Sequence, residues 1–315
     1  MPFAEGTLLT LWCEVRSGMV GKVDLAMWTK NGAATLPEVL KRIEEVVPNE
    51  NVSRKILVDD HSTDRTAEIA QEFNWIVYQN PGGGVANGAN EALRHVDRDF
   101  FVSIEQDLIL SKKWWDKIPK YMDDPSVACA QGIRVPTHPV LRLLEEWQSD
   151  VLGKKPPLVS IDNNIFRSKV LRSMGGFPKT CPICTDMVLM KKITNETAFR
   201  WIIDSDVISL HVRNNLKSSL EHQYKKSYLC ARTPYCIHDQ NPSVAVNLRI
   251  LLTSPIRALQ IALKRNYPNI IWAYPLLRLY QLNIALSMKE SAPFTPPLST
   301  FKNSSEKRET DKAEN

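Results

Sequence analysis

Four groups of residues in this sequence have types and spacing suited to chemistry. Asp59-Asp60 ends an apolar run and leads into His61-Ser62-Thr63-Asp64-Arg65-Thr66. An acidic pair so placed accepts hydrogen bonds from a nucleobase edge and from ribose hydroxyls; the plainer alternative is a solvated turn in which Asp64 caps the next helix. Glu105-Gln106-Asp107 ends another apolar run. Acidic side chains at alternate positions there can hold a divalent cation through oxygen ligands, and the cation in turn holds a diphosphate; a helix start before Trp114-Trp115 is the competing reading. Gly82-Gly83-Gly84 invites a dinucleotide reading, but it follows the third apolar run instead of the first. Asn87 also stands where the fingerprint needs its last glycine, so NAD is set aside. Cys181-Pro182-Ile183-Cys184 has the spacing of a redox pair or half a zinc site, with Cys230, Cys236 and His238 as the remaining candidates. Those spacings match no zinc module, and the pair reads as incidental small loop residues.

The elements that must position these groups follow from periodicity. Val23 to Thr29 (VDLAMWT), Lys55 to Val58 (KILV), Trp75 to Tyr78 and Phe100 to Ile104 (FFVSI) are short apolar runs and predict buried strands. Between them Leu36, Val39, Leu40, Ile43 and Val46 recur at helical spacing behind Pro37, and Thr66 to Phe73 and Ala86 to His95 predict two further helices. Alternation of this kind implies a parallel α/β sheet with helices on both faces. Ligands of such sheets bind beyond the C-terminal strand ends, where both acidic groups fall. Residues 1–22 read as a lead-in and 23–125 as the first, nucleotide-binding half. Residues 126–240 form a less regular second half, with a strand at Val207 to Leu210 ending on His211. Residues 241–290 read as basic amphipathic helices, one opened by Ser254-Pro255, and 291–315 as a disordered tail rich in Pro, Ser, Lys and Glu.

Composition bounds the rest. With 315 residues, 43% of them hydrophobic and 24% charged, the chain can bury a sizeable core. A net charge of +5 is too mild for a dedicated nucleic-acid binder. The longest uncharged stretch near the C-terminus, Asn266 to Leu277, is shorter than the about 20 residues a membrane span needs, so no span is expected. The apolar patch Thr7 to Cys13 follows Glu5 and no basic residue, so it reads as mature sequence and not as a secretory signal. Six cysteines without such a signal predict reduced thiols and a cytoplasmic protein.

In this order the blocks resemble the inverting glycosyltransferases of family 2, which have the GT-A architecture. Trp28-Thr29-Lys30-Asn31 matches the family's first strand end with Thr and Asn kept. Lys55 to Thr66 matches its Asp-Asp-Gly-Ser-x-Asp-x-Thr block, Gly84 to Asn90-Glu91-Ala92 its glycine loop and downstream Asn, and Glu105-Gln106-Asp107 its Asp-x-Asp. Further on, Phe166-Arg167 to Gly175-Gly176-Phe177, Thr185-Asp186 and His211 fall on later family positions, so the likeness runs from Val23 to Arg213. Glu105 replaces the first Asp of Asp-x-Asp and Thr185 replaces a Glu, and Lys30 and Gly32 also depart from the pattern.

The resemblance implies roles. Asp107 and His211 would hold Mg2+ or Mn2+, and Thr29, Asn31, Asp59, Asp60, Gly84, Asn90 and Glu105 would bind the nucleotide. Asp186 would be the general base. The implied activity transfers sugar from a UDP- or GDP-sugar to a glycan or lipid-linked acceptor. A sugar-1-phosphate nucleotidyltransferase, or a non-catalytic nucleotide-sugar-binding module, are the rival readings. From Val244 to Glu290 six Lys/Arg face one Glu. These helices either pack on the catalytic domain or rest peripherally on the inner face of an anionic membrane.

Overall fold

The computed structural model describes residues 20–143, 146, 159–180, 184–222 and 244–289. Its centre is an eight-stranded sheet in the order β3-β2-β1-β4-β7-β6-β8-β5. The strands are β1 (Val23–Thr29), β2 (Val52–Asp59), β3 (Ile76–Gln79), β4 (Phe100–Glu105), β5 (Leu108–Ile109), β6 (Val127–Pro136), β7 (Asn164–Arg167) and β8 (Arg200–His211). Strands β1 to β4 pair in parallel, as do β6 and β8; β7 runs antiparallel to both its neighbours and β5 antiparallel to β8. The sheet is mixed but mostly parallel, as the alternation of strands and helices implied. It continues across residues 125–126, so the two expected halves share one sheet.

All seven residues of β1 are buried because helices cover both faces. On one face Leu25, Met27, Leu57 and Ile104 pack under Leu36, Val39, Leu40 and Ile43 of α1 (Leu36–Val46). On the other, Ala26, Trp28, Ile56, Val58 and Phe101 meet Ala89, Ala92 and Leu93 of α3 (Val85–His95), together with Phe166 and Phe177. Helix α2 (Thr66–Glu72) lies between β2 and β3 in sequence. From β1 the chain winds outward to β2 and β3, then returns to place β4 on the other side of β1. That reversal opens a crevice at the C-terminal ends of β1, β2 and β4, where both acidic groups sit.

The first half ends with α4 (Trp114–Lys117), and the second half supplies α5 (Ser168–Ser173) and α6 (Thr185–Glu196). Strand β8 spans twelve residues, well beyond the expected Val207 to Leu210. The C-terminal helices are α7 (Val244–Arg265) and α8 (Ile270–Lys289). Pro255 does not open a helix; it lies inside α7. Proline leaves the carbonyl four residues back without its helical donor, and here the Ser254 hydroxyl donates to Leu251 O at 2.6 Å in its place. By length and composition α7 is also apolar enough to cross a membrane, so counting uncharged residues was too strict a ground for excluding a span.

Candidate active site

The strand ends are stitched to one another before any ligand is considered. Asp60 N donates to Thr29 O at 2.8 Å, extending the β1–β2 ladder into the loops. Thr29 Oγ1 donates to Asp59 Oδ1 at 3.5 Å, and Ser62 N donates to Asp59 Oδ2 at 3.0 Å, with Asp59 buried. Asn31 adopts φ 50°, and its loop exchanges hydrogen bonds with the next: Asn31 N to Ser62 Oγ, and Thr63 N to Asn31 Oδ1. The N-cap of α2 is Arg65 and not the expected Asp64, whose carboxylate accepts from Thr66 N and also from Ala33 N, binding the β1 loop to the helix start. Asp60 accepts from Lys30 Nζ at 3.2 Å, Asn80 Nδ2 at 3.0 Å and Gly84 N at 3.2 Å. Gly84, at φ 76°, takes a backbone conformation that suits glycine and turns its N–H toward Asp60. Thr29, Asn31, Asp59, Asp60 and Gly84 thus meet on one edge. Gln106 joins it through paired bonds, Lys30 N to Gln106 Oε1 and Gln106 Nε2 to Lys30 O.

Next to this edge Glu105, Asp107 and His211 gather, each offering a ligand atom within 4.8 Å of the others. Strand pairing explains the meeting, because β5 runs antiparallel to β8 with Leu108 opposite His211. His211 Nε2 is buried 3.3 Å from Asp107 Oδ2 and makes no hydrogen bond there. Burial and the Arg134 charge lower the His211 pKa against the pull of Asp107, which keeps the imidazole neutral and its nitrogen available as a ligand. Burial alone would raise Asp107, but the His211 ring and the charges of Arg213 and Arg134 hold it well below the usual carboxylate range. The Arg213 guanidinium rests on Asp107 Oδ2, a cation on the carboxylate that a metal would use. An orphaned buried nitrogen and two carboxylates fit a divalent ion, which would displace the Arg213 guanidinium from Asp107.

Glu105 belongs to this cluster more than to the nucleotide edge. Burial, with the Asp162 and Asp107 charges, pushes its pKa up to about 8, although Arg134 opposes the shift. Trp28 Nε1 donates to it at 3.3 Å. Arg134, Asp162 and Arg213 were not foreseen. Arg134 Nη1 grips both oxygens of Asp162, at 2.9 and 2.8 Å, and reaches Glu105 at 3.5 Å. Burial disfavours the charged guanidinium, but the fields of Asp162, Glu105, Asp186 and Asp107 overcome it and raise its pKa. The only available signals were a lone cation inside the apolar run Val127–Pro136, and an Arg two residues beyond His211.

Asp186 lies in the first turn of α6 and is buried, with Met187 N donating to its Oδ1 at 2.8 Å. Its field at Arg134 puts it within electrostatic reach of the Glu105–Asp162 group. Asn90 has a different place. Its Nδ2 donates to Phe177 O at 2.8 Å and its Oδ1 accepts from Phe177 N at 2.9 Å, so the amide clamps α3 to the Gly175-Gly176-Phe177 turn. Cys184 is buried and disulfide-bonded, against the expectation of reduced, incidental thiols; Cys181 lies outside the described residues.

Residues 24–193 match the family model described as Glycosyl transferase family 2. The chain belongs to this family. No curated protein sequence matched it. Among solved structures, this glycosyltransferase resembles a mannosyltransferase from Pyrobaculum calidifontis solved with GDP-Man and Mn2+. Identity is 18%, coverage is 89% of this chain and 91% of the other, and the TM-score is 0.58. It also resembles glucosyl-3-phosphoglycerate synthase from Mycobacterium tuberculosis, solved with Mn2+, UDP-glucose and phosphoglyceric acid. There identity is 15%, coverage 74% and 85%, and the TM-score 0.51. At these identities the glycosyltransferase shares their fold, the GT-A arrangement.

Proposed function

We propose that this glycosyltransferase is inverting and metal-dependent, moving a sugar from a UDP- or GDP-sugar onto a glycan or lipid-linked acceptor in the cytoplasm. The observation that carries the reading is the convergence of Glu105, Asp107 and His211 beside the Asp59–Asp60 edge, with Asp186 buried in the first turn of α6. Two proteins of the same fold were solved with a nucleotide sugar and Mn2+, which supports the assignment. Mg2+ or Mn2+ held by Asp107, His211 and Glu105 would supply positive charge against the diphosphate leaving group.

The chain's own residues do the rest. Thr29, Asn31, Asp59, Asp60 and Gly84 bind and orient the nucleoside at the strand ends. Arg213 offers its guanidinium to the diphosphate once it leaves Asp107. Asp186 takes the proton of the acceptor hydroxyl while that oxygen bonds to the sugar C1. The bond from C1 to the diphosphate breaks on the opposite face, so the anomeric centre inverts and a nucleoside diphosphate departs. Thr185, where the family has Glu, leaves Asp186 as the carboxylate of that helix turn.

The test is release of nucleoside diphosphate from a panel of UDP- and GDP-sugars, with Mn2+ or EDTA, and proton NMR of the product linkage. One donor is expected to turn over, with loss in EDTA and in Asp107→Ala. Asp186→Asn should lower the rate by roughly 10²–10⁴ with nucleotide affinity kept. Full activity in EDTA, or a product that retains the donor's anomeric configuration, overturns the proposal.

A further inference from the structure

We propose that the outward faces of α7 and α8 form a docking surface for an anionic lipid bilayer, on which the helical hairpin lies flat. On α7, Leu248, Leu252, Ile256, Leu259 and Leu263 recur at helical steps of four, four, three and four. At about 100° per residue they fall within roughly 80° of the helix circumference. All five are between 46% and 77% exposed. Helix α8 repeats the pattern with Trp272, Leu276, Leu279 and Leu286, all exposed as well.

These stripes are not the faces that hold the hairpin to the protein. Ala258, Ile261 and Ala262 of α7, with Ile270, Tyr274 and Leu277 of α8, are buried against Val140, Leu141 and Leu220. Each helix therefore carries two apolar faces. The core uses one. Single exposed leucines need no explanation, but a continuous stripe on α7 beside a second on α8, broken only by Asn283, marks an interaction surface.

Charge selects the occupant. Residues 244–289 contain six Lys/Arg and no Asp or Glu. Arg249 and Arg257 are exposed; Arg249 falls just beside the stripe, Arg257 lies about 140° from its centre, and Arg265 is paired with Glu146 of the domain. Two copies of the chain joined through this surface would bring like charges together. A bilayer with anionic headgroups accepts the leucines and Arg249 at once, and exposed Trp272 suits its interfacial layer.

The hairpin lies on the bilayer instead of crossing it, for two reasons. One side of α7 is committed to the folded domain, and a span would place Arg257 near the hydrocarbon centre. The segments that receive the hairpin, 139–143 and 216–222, leave β6 and β8 at the ends that carry Pro136 and His211. Docking would hold the Asp107–His211 edge close to the lipid surface. Only that last consequence bears on a lipid-linked acceptor, and docking stands without the proposed chemistry.

The experiment is co-sedimentation of the full chain with vesicles of phosphatidylcholine alone, or of equal parts phosphatidylcholine and phosphatidylglycerol. Binding to the anionic vesicles is expected to exceed binding to the neutral ones by on the order of tenfold, and to weaken as salt rises. Leu252→Glu with Leu263→Glu should reduce it by at least about tenfold. Arg249→Gln with Arg257→Gln should erase the preference for anionic lipid. Unchanged circular dichroism and nucleoside diphosphate affinity will show that the variants fold. No binding to anionic vesicles, equal binding to both kinds, or undiminished binding by the Leu→Glu variant overturns the proposal. So does a dimer in analytical ultracentrifugation that the Leu→Glu variant dissolves, since the occupant would then be a second copy.

Discussion

Replacing Arg134 by Met removes the cation from a group of four carboxylates and should destabilise the protein more than any surface charge change. Asp162 is 1% exposed and takes both of its close contacts from one guanidinium nitrogen, at 2.9 and 2.8 Å. Removing one partner of a buried pair typically costs about 3–5 kcal/mol, because the other charge is left without compensation. Water reaches about a quarter of the Arg134 side chain, 25% by exposure, which lowers the expectation to about 2–4 kcal/mol. The assay is urea denaturation of wild type, Arg134→Met, Asp162→Asn and the double variant. Both single variants should be destabilised, Arg134→Met more than Asp162→Asn. The double variant should recover about 1–3 kcal/mol of the sum, because Asp162 no longer carries a buried charge that needs Arg134. Strict additivity, or an Arg134→Met variant within about 0.5 kcal/mol of wild type, would refute the reasoning.

Two further outcomes follow from the same geometry. Glu105, with its pKa near 8, is mostly protonated at pH 7, whereas Asp107 is already ionised and His211 already neutral. A metal must therefore displace the Glu105 proton, so Mn2+ affinity should rise by about tenfold from pH 7 to pH 9 and titration calorimetry at pH 7 should find close to one proton released. Asn90→Ala strips two hydrogen bonds from the Phe177 backbone and should cost about 2–3 kcal/mol in denaturation without changing nucleoside diphosphate affinity, which calorimetry can check.

The parts legible in the sequence are those that short-range pattern controls. The apolar runs of β1, β2 and β4 must be buried strands, because helices on both faces leave no place for polar alternation. The chain order of those strands already implied a crevice at their acidic ends, and Asp59, Asp60 and Asp107 lie there. Pro255 misled, because the loss of a helical donor is visible locally but the hydroxyl bond that makes it tolerable is not. Long-range pairing decided the rest. His211 reaches Asp107 only because β8 pairs with β5, where Leu108 lies opposite His211, 103 residues later, and no local signal encodes the register. Arg134 and Asp162 became one ion pair because β6 and β7 are neighbours. Asn90 became a clamp because the Phe177 turn folds back onto α3. The sequence by itself determined which residues are able to carry charge at the strand ends; only the tertiary structure decided which charges face one another, because a few ångströms of strand register set both burial and partner, and with them each group's protonation.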